Sequence, residues 1–208
     1  MTARRKLLIA TANRHKTEEF AHMLAPGGVE VVDLHSLDST LQVEENGATF
    51  EENAWIKARA AALAAGVPAL ADDSGLEVDP LGGAPGVHSA RYAGEEATDA
   101  DNRHKLVHEL QAADVKDETS PRSARFRCVL ALARADGTQA GCWSGQVEGK
   151  ILCAGRGDGG FGYDRLFIPD GHHRTFAEMT RDEKAALSHR ARATALFLAA
   201  LEADPGMV

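Results

Sequence analysis

Ala69-Leu70-Ala71-Asp72-Asp73-Ser74-Gly75-Leu76 is an apolar run, set off by Pro68, that reads as a short buried strand. It ends in two adjacent carboxylates, a hydroxyl and a glycine. Successive side chains of an extended segment point to opposite faces. Asp72 and Asp73 are therefore expected to do different jobs, one facing the strand's supports and the other a cleft. Carboxylates at a strand end, beside a Gly turn, can hold Mg²⁺ or deprotonate water. Alone, an Asp-Asp pair reads more often as an acidic turn. Its partners elsewhere in the chain decide the matter.

The 208 residues allow one two-lobed unit over 1–208 with a sizeable core. A net charge of −8 argues against non-specific nucleic-acid binding, because an acidic surplus cannot neutralise phosphates. A local basic pocket for a small anion remains compatible with it. Three cysteines, Cys128, Cys142 and Cys153, form no C-x-x-C pair, which fits a reducing compartment and offers no zinc site. The apolar run after Arg4-Arg5-Lys6 is too short for a signal peptide, and no stretch is long enough to cross a membrane. A cytoplasmic protein with no membrane or nucleic-acid partner is expected.

Upstream of the acidic strand, Lys6 to Thr11 reads as a strand and the residues after Lys16 as a helix with Phe20, Met23 and Leu24 on one face. The junction Thr11-Ala12-Asn13-Arg14-His15-Lys16 is expected to collect anions, since free N–H groups point out of a helix start. Val29 to Leu34 is a second strand, followed by the acidic turn Glu44-Glu45. Thr49 and Glu52 have capping-box spacing for a helix with Phe50, Ala54, Ala58, Ala61 and Ala62 buried, and with Lys57 at the stripe's edge.

Downstream, Thr98 and Asp101 open another helix, and Asp114 to Ser123 reads as a polar connection. Arg125 to Arg134 alternates as a half-buried strand, Asp136-Gly137 signals a hairpin, and Cys142-Trp143 and Val147 to Leu152 continue a meander. Five glycines between Gly155 and Asp164 surround Phe161 and Tyr163; such backbone permits close ligand approach, and an aromatic there can stack on a flat ring. Thr180 and Glu183 open the C-terminal helical region. There Lys184 and Ser188 are expected on one face, His189 and Arg190 follow, and Leu196, Phe197, Ala200 and Leu201 form a packing stripe. Strand-rich middle and helix-rich ends predict an α/β fold: a long mixed central sheet with flanking helices and two lobes around an active-site cleft.

Phosphate-type cradle, metal-type carboxylates and an aromatic Gly-rich loop together form the inventory of a magnesium-dependent nucleotide hydrolase. No G-x-x-x-x-G-K-[ST] occurs, so it is not a P-loop protein. Six ordered segments, from Thr11-Ala12-Asn13-x-x-Lys16 through Glu44-Glu45-x-Gly47-x-Thr49-Phe50-x-Glu52-Asn53-Ala54, Ala71-Asp72-Asp73-Ser74-Gly75-Leu76, Leu81-Gly82-Gly83-Ala84-Pro85-Gly86 with Ser89-Ala90-Arg91-Tyr92, and Gly159-Gly160-Phe161-Gly162-Tyr163-Asp164 to Ser188-His189-Arg190, carry a resemblance. The chain resembles the inosine/xanthosine triphosphate pyrophosphatases.

That resemblance implies a homodimer that splits non-standard purine triphosphates (ITP, dITP, XTP) into monophosphate and pyrophosphate with Mg²⁺. It implies that Thr11, Ala12, Asn13, Arg14, His15 and Lys16 hold the triphosphate. It implies Asp73 as general base and metal ligand, with Glu45 rather than Glu44 as the second ligand, and Ser74 as a substrate contact. Phe161, in the loop with Gly162, Tyr163 and Asp164, would stack on the purine, and Lys184, His189 and Arg190 would read the base edge. Two rival readings are a pyrophosphatase for pyrimidine or other modified nucleotides and a nucleotide sensor without turnover.

Overall fold

The computed structural model of the chain describes residues 5–34, 43–113 and 122–208. The polar connection expected from Asp114 lies outside the described residues as far as 121. In chain order the elements are β1 (Arg5–Ile9), α1 (Arg14–Leu24), β2 (Val29–Asp33), α2 (Phe50–Ala65), β3 (Ala69–Val78), α3 (Asp99–Ala112), β4 (Ser123–Ala133), β5 (Gln139–Ile151), β6 (Phe167–Pro169), α4 (Arg181–Leu187) and α5 (His189–Ala203). The strands form one sheet in the order β2-β1-β3-β4-β5-β6. β1 pairs parallel with β2 and β3, whereas β5 pairs antiparallel with β6, so the sheet is mixed as expected.

The chain divides into two compact units. One comprises Met1–Asp73, Cys128–Gly145 and Arg190–Val208, the other Ser74–Arg127 and Gln146–His189. β3, β4 and β5 each contribute a segment to both. The first unit buries Leu7 and Ile9 of β1, Phe20 and Leu24 of α1, Leu70 of β3, Leu130 and Leu132 of β4, and Phe197 and Leu201 of α5. The second buries Leu76 and Val78 of β3, Leu106 and Leu110 of α3, and a ring cluster in which Phe126 meets Phe167 edge-on at 4.8 Å.

The local signals explain most element ends. Thr98 with Asp101, and Thr180 with Glu183, form complete capping boxes. Thr49 caps α2 by accepting from the Glu52 N–H, but the Glu52 carboxylate takes the Ala48 N–H (2.6 Å) and not that of Thr49. The Asp136-Gly137 turn closes with Gly137 at φ +79°, a left-handed conformation that suits glycine.

Four expectations are corrected. β4 alternates only as far as Arg127; from Cys128 to Ala133 every residue is buried, because both faces of that half are covered. Cys142-Trp143 and Val147 onward belong to one 13-residue strand, not two. The C-terminal helical region breaks at Ser188, whose extended backbone (ψ 160°) ends α4 and takes it off the face of Lys184. Leu196 is 52% exposed and leaves the packing stripe to Phe197 and Leu201.

Candidate active site

β3 does not end at its two carboxylates, as expected, but runs on to Val78, and in its middle Asp72 and Asp73 of the first unit meet different surroundings. The Asp72 side chain is fully buried. Its Oδ2 accepts from Arg190 Nε (3.0 Å) and from the Cys128 thiol (3.0 Å), and its Oδ1 from Lys16 Nζ. Burial opposes its charge, but the Arg190 and Lys16 cations hold its carboxyl well below the ordinary range.

Asp73 has a single cation in contact. Lys57 Nζ, on α2, lies 2.7 Å from Asp73 Oδ1 and 2.9 Å from Glu45 Oε2. Asp73 Oδ2 is buried and has no hydrogen-bond donor among the described residues. Burial therefore dominates and pushes the Asp73 carboxyl up to about 6, against the pull of Lys57 and Lys16 and with a small push from the Glu45 charge. Glu45 moves the other way: burial opposes its charge, but Lys57 holds it below the ordinary range. Lys57 stays an ammonium, because Asp73 and Glu45 outweigh its own burial.

These two carboxylates fit a divalent cation. They already converge on one positive charge, and the orphaned buried Oδ2 of Asp73 is an oxygen in need of a partner. Among the described residues no three or more His, Cys, Asp or Glu side chains gather as a closed metal site. An open pair suits Mg²⁺, which commonly takes one or two protein carboxylates and completes its shell with water and substrate phosphate.

The Thr11 to Lys16 segment departs from its expectation. Asn13 Oδ1 accepts from the N–H groups of His15 (3.0 Å) and Lys16 (3.3 Å), so this helix start is capped by its own side chain. Thr11 Oγ1 accepts from Asn13 N–H (3.1 Å), while Ala12, Arg14 and His15 are exposed. Lys16 reaches inward to Asp72. Arg190, expected at a base edge, is instead packed in this unit with its guanidinium on Asp72 and on Glu19 Oε2 (2.5 Å), over the Phe20 ring.

In the second unit, Asp164 organises the Gly-rich loop. Its Oδ2 accepts from the Phe161 N–H (3.0 Å) and from Lys184 Nζ (2.7 Å), which places the ammonium 4.7 Å from the centre of the Phe161 ring. Phe161 itself is half-buried. Tyr163 is a core residue, 3% exposed, whose hydroxyl donates to the Ser89 carbonyl. Lys184 is buried and held by Asp164, which makes it a support of the Phe161 ring more than a base-edge donor. His189 stacks on Phe126 with centroids 4.8 Å apart. Ser74 is half-buried at the start of this unit's share of β3, and Gly162 is half-buried in the loop.

Several residues of this architecture carried no signal in the sequence: Glu19 on Arg190, Cys128 on Asp72, and Asp99 and Arg103 of α3, which hold the Gly162 peptide. Lys57, by contrast, is legible in the sequence from its place at the edge of the α2 stripe.

The chain is similar to known proteins over nearly its whole length. The model of the Ham1 family matches residues 7–200. The chain is 49% identical to the dITP/XTP pyrophosphatase of Salmonella typhimurium over 94% of this chain and 98% of that one. It is 45% identical to the dITP/XTP pyrophosphatase of Bacillus subtilis over 98% and 100%. Among solved structures, a HAM1 protein from Coxiella burnetii superposes with a TM-score of 0.84 at 41% identity, covering 96% of this chain and 99% of the other. A match that spans nearly every described strand and helix, with Asp72 and Asp73 of β3 inside it, means that this chain belongs to the Ham1 family.

Proposed function

We propose that this chain hydrolyses non-standard purine nucleoside triphosphates (ITP, dITP and XTP) to the monophosphate and pyrophosphate, removing them from the nucleotide pool. The observation that carries the reading is Asp73: a buried carboxylate raised to about 6, with one oxygen lacking a donor, beside Glu45 and Lys57. A general base works best when its pKa lies near the operating pH. The relatives named dITP/XTP pyrophosphatase supply the substrate class.

In this reading Asp73 takes the proton of the attacking water. Lys57 keeps Asp73 and Glu45 together, and Lys16 supplies positive charge for the phosphates. Glu45 and Asp73 would hold Mg²⁺, which supplies polarisation of a phosphoryl oxygen when bound. Phe161, stiffened by Asp164 and Lys184, would stack on the purine. The base-edge role assigned to Arg190 is withdrawn, since Asp72 and Glu19 engage its guanidinium.

The water attacks the α-phosphorus. The cluster of Asp73, Glu45 and Lys57 supports this, since it sets the base beside a cation that would meet the phosphates. Hydrolysis of ITP in ¹⁸O-labelled water should place the label in IMP and leave pyrophosphate unlabelled, and should stop when Mg²⁺ is chelated. Label in pyrophosphate, or orthophosphate as product, would overturn the assignment of Asp73. The reading also includes a cytoplasmic homodimer, supported by the family resemblance; light scattering checks the dimer.

A further inference from the structure

The loop that carries Phe161 is gripped from outside by two charged side chains of α3. Gly162 N–H donates to Asp99 Oδ2 at 2.6 Å, and Gly162 C=O accepts from Arg103 Nη1 at 2.7 Å. Asp99 and Arg103 stand four residues apart and so share one face of the helix. Both bonds involve an ionised partner, which makes them roughly twice as strong as neutral ones. Asp99 is the first residue of α3, where the helix dipole favours its negative charge.

Gly162 needs holding. Its φ of +57° is left-handed, and a Cβ built there would meet nothing within 4 Å, so glycine stands here for its conformation and not for lack of space. Glycine is also the residue with most backbone freedom to lose. Inside the loop, Phe161 N–H donates to the Asp164 carboxylate and Phe161 C=O accepts from Asp164 N–H. Those bonds hold Phe161 itself; the Asp99 and Arg103 bonds fix the two peptides on either side of Gly162, the residue that follows it.

We propose that Asp99 and Arg103 are positioning residues that set the orientation of the Phe161 ring and thereby the enzyme's use of the base in its substrate. The inference rests on the reading of Phe161 as the purine platform. Without the clamp, ordering of the Gly162 peptide would fall on substrate binding, which weakens affinity.

The experiment compares ITP with ribose 5-triphosphate, which has the phosphates and sugar but no base. Asp99→Ala and Arg103→Ala should each lower kcat/KM for ITP by about tenfold, mainly through KM, the size expected when a charge-assisted hydrogen bond is lost. The same variants should lose less than about twofold on ribose 5-triphosphate, since no base is there to orient. Asp99→Asn and Arg103→Lys, which keep an acceptor and a cationic donor, should recover part of the loss. The double variant should lose little more than either single one, because the two grip one residue, Gly162, from either side. Equal losses on both substrates would mean a general structural role and overturn the proposal, as would unchanged ITP kinetics. A wild-type enzyme that turns over ITP no better than ribose 5-triphosphate would instead bring down the Phe161 platform, and this inference with it.

Discussion

Asp72 and Asp73 are the same amino acid at consecutive positions of β3, yet the fold makes opposite things of them. Asp72 is enclosed by Arg190, Lys16 and Cys128 and is held ionised well below its ordinary range. Asp73 meets one ammonium, keeps an oxygen without a donor, and is raised to about 6. Both are buried, so burial alone does not separate them. The number of donors and cations that each burial is matched by does. Asp72 is a cross-link between β3, β4, α1 and α5, whereas Asp73 holds its charge weakly enough to exchange a proton near neutral pH.

The comparison breaks most visibly in stability. Asp72→Asn leaves the Arg190 guanidinium, 1% exposed, without its main counter-charge. Removing one partner of a buried ion pair typically destabilises by about 3–5 kcal/mol. The expected result is a fall of that order in urea or thermal unfolding. Loss of activity in Asp72→Asn should then follow the loss of folded protein. An Asp72→Asn protein as stable as wild type would show that Arg190 is satisfied by Glu19 alone.

Asp73→Asn should do the reverse. The variant keeps the shape and removes the base, so the rate should drop by about 10²-fold or more. Unfolding should be unchanged or shifted towards greater stability at pH 7, because a buried carboxylate with an unpartnered oxygen has been neutralised. Near wild-type hydrolysis of ITP by Asp73→Asn would place the base elsewhere.

Titration sharpens the contrast because the two signs differ. A carboxyl raised to about 6 binds its proton more tightly in the fold than in the unfolded chain, so the stability it contributes is present below the unfolded value and is lost as pH rises from about 4 to 6. Asp72, held low, contributes stability that is present above its unfolded value and is lost as pH falls below about 4. Chemical denaturation across pH 3–7 should therefore lose its decline between about pH 4 and 6 in Asp73→Asn and keep it in wild type. The same carboxyl predicts a kcat/KM that falls about tenfold per pH unit below 6, with the limb moving to lower pH as Mg²⁺ is raised. A flat profile down to pH 5 at low Mg²⁺ would contradict a base of this kind.

How far such differences can be read from sequence depends on how near the partners lie. The capping boxes at Thr98 and Thr180 were legible because their two halves are three residues apart. The strands and the buried face of α2 were legible from period, and the adjacency of Asp72 and Asp73 on a strand was enough to expect two roles. Arg190 was misplaced because its partner lies 118 residues away, and the Asp99 grip on Gly162 was invisible across 63. A Gly-rich aromatic loop reads alike in sequence whether a ring faces a ligand or, as the Tyr163 ring does, the core. Ser188 reads as a helix interior residue from its spacing to Lys184, whereas its backbone is extended and ends α4.

The smallest effect tests the least expected partner of Asp72. Cys128 is fully buried on β4, and its thiol points at Asp72 Oδ2 from 3.0 Å. A thiol is a weak donor, but a bond to an ionised carboxylate gains from the charge. It also lies where Arg190 leaves that oxygen able to accept once more. Cys128→Ala removes the donor and leaves a small void, for an expected loss of about 1–2 kcal/mol. Cys128→Ser keeps a donor of similar size and a stronger one, so its loss should be smaller than that of Cys128→Ala. Cys128→Val fills the space but supplies no hydrogen, and should resemble Cys128→Ala if the hydrogen bond matters and wild type if only packing does. None of the three should change the acid limb of kcat/KM, since Cys128 touches Asp72 and not Asp73. A limb that moved in Cys128→Ser would mean that the two aspartates are electrostatically joined through the strand, and that their separation into a structural and a reactive carboxylate is incomplete.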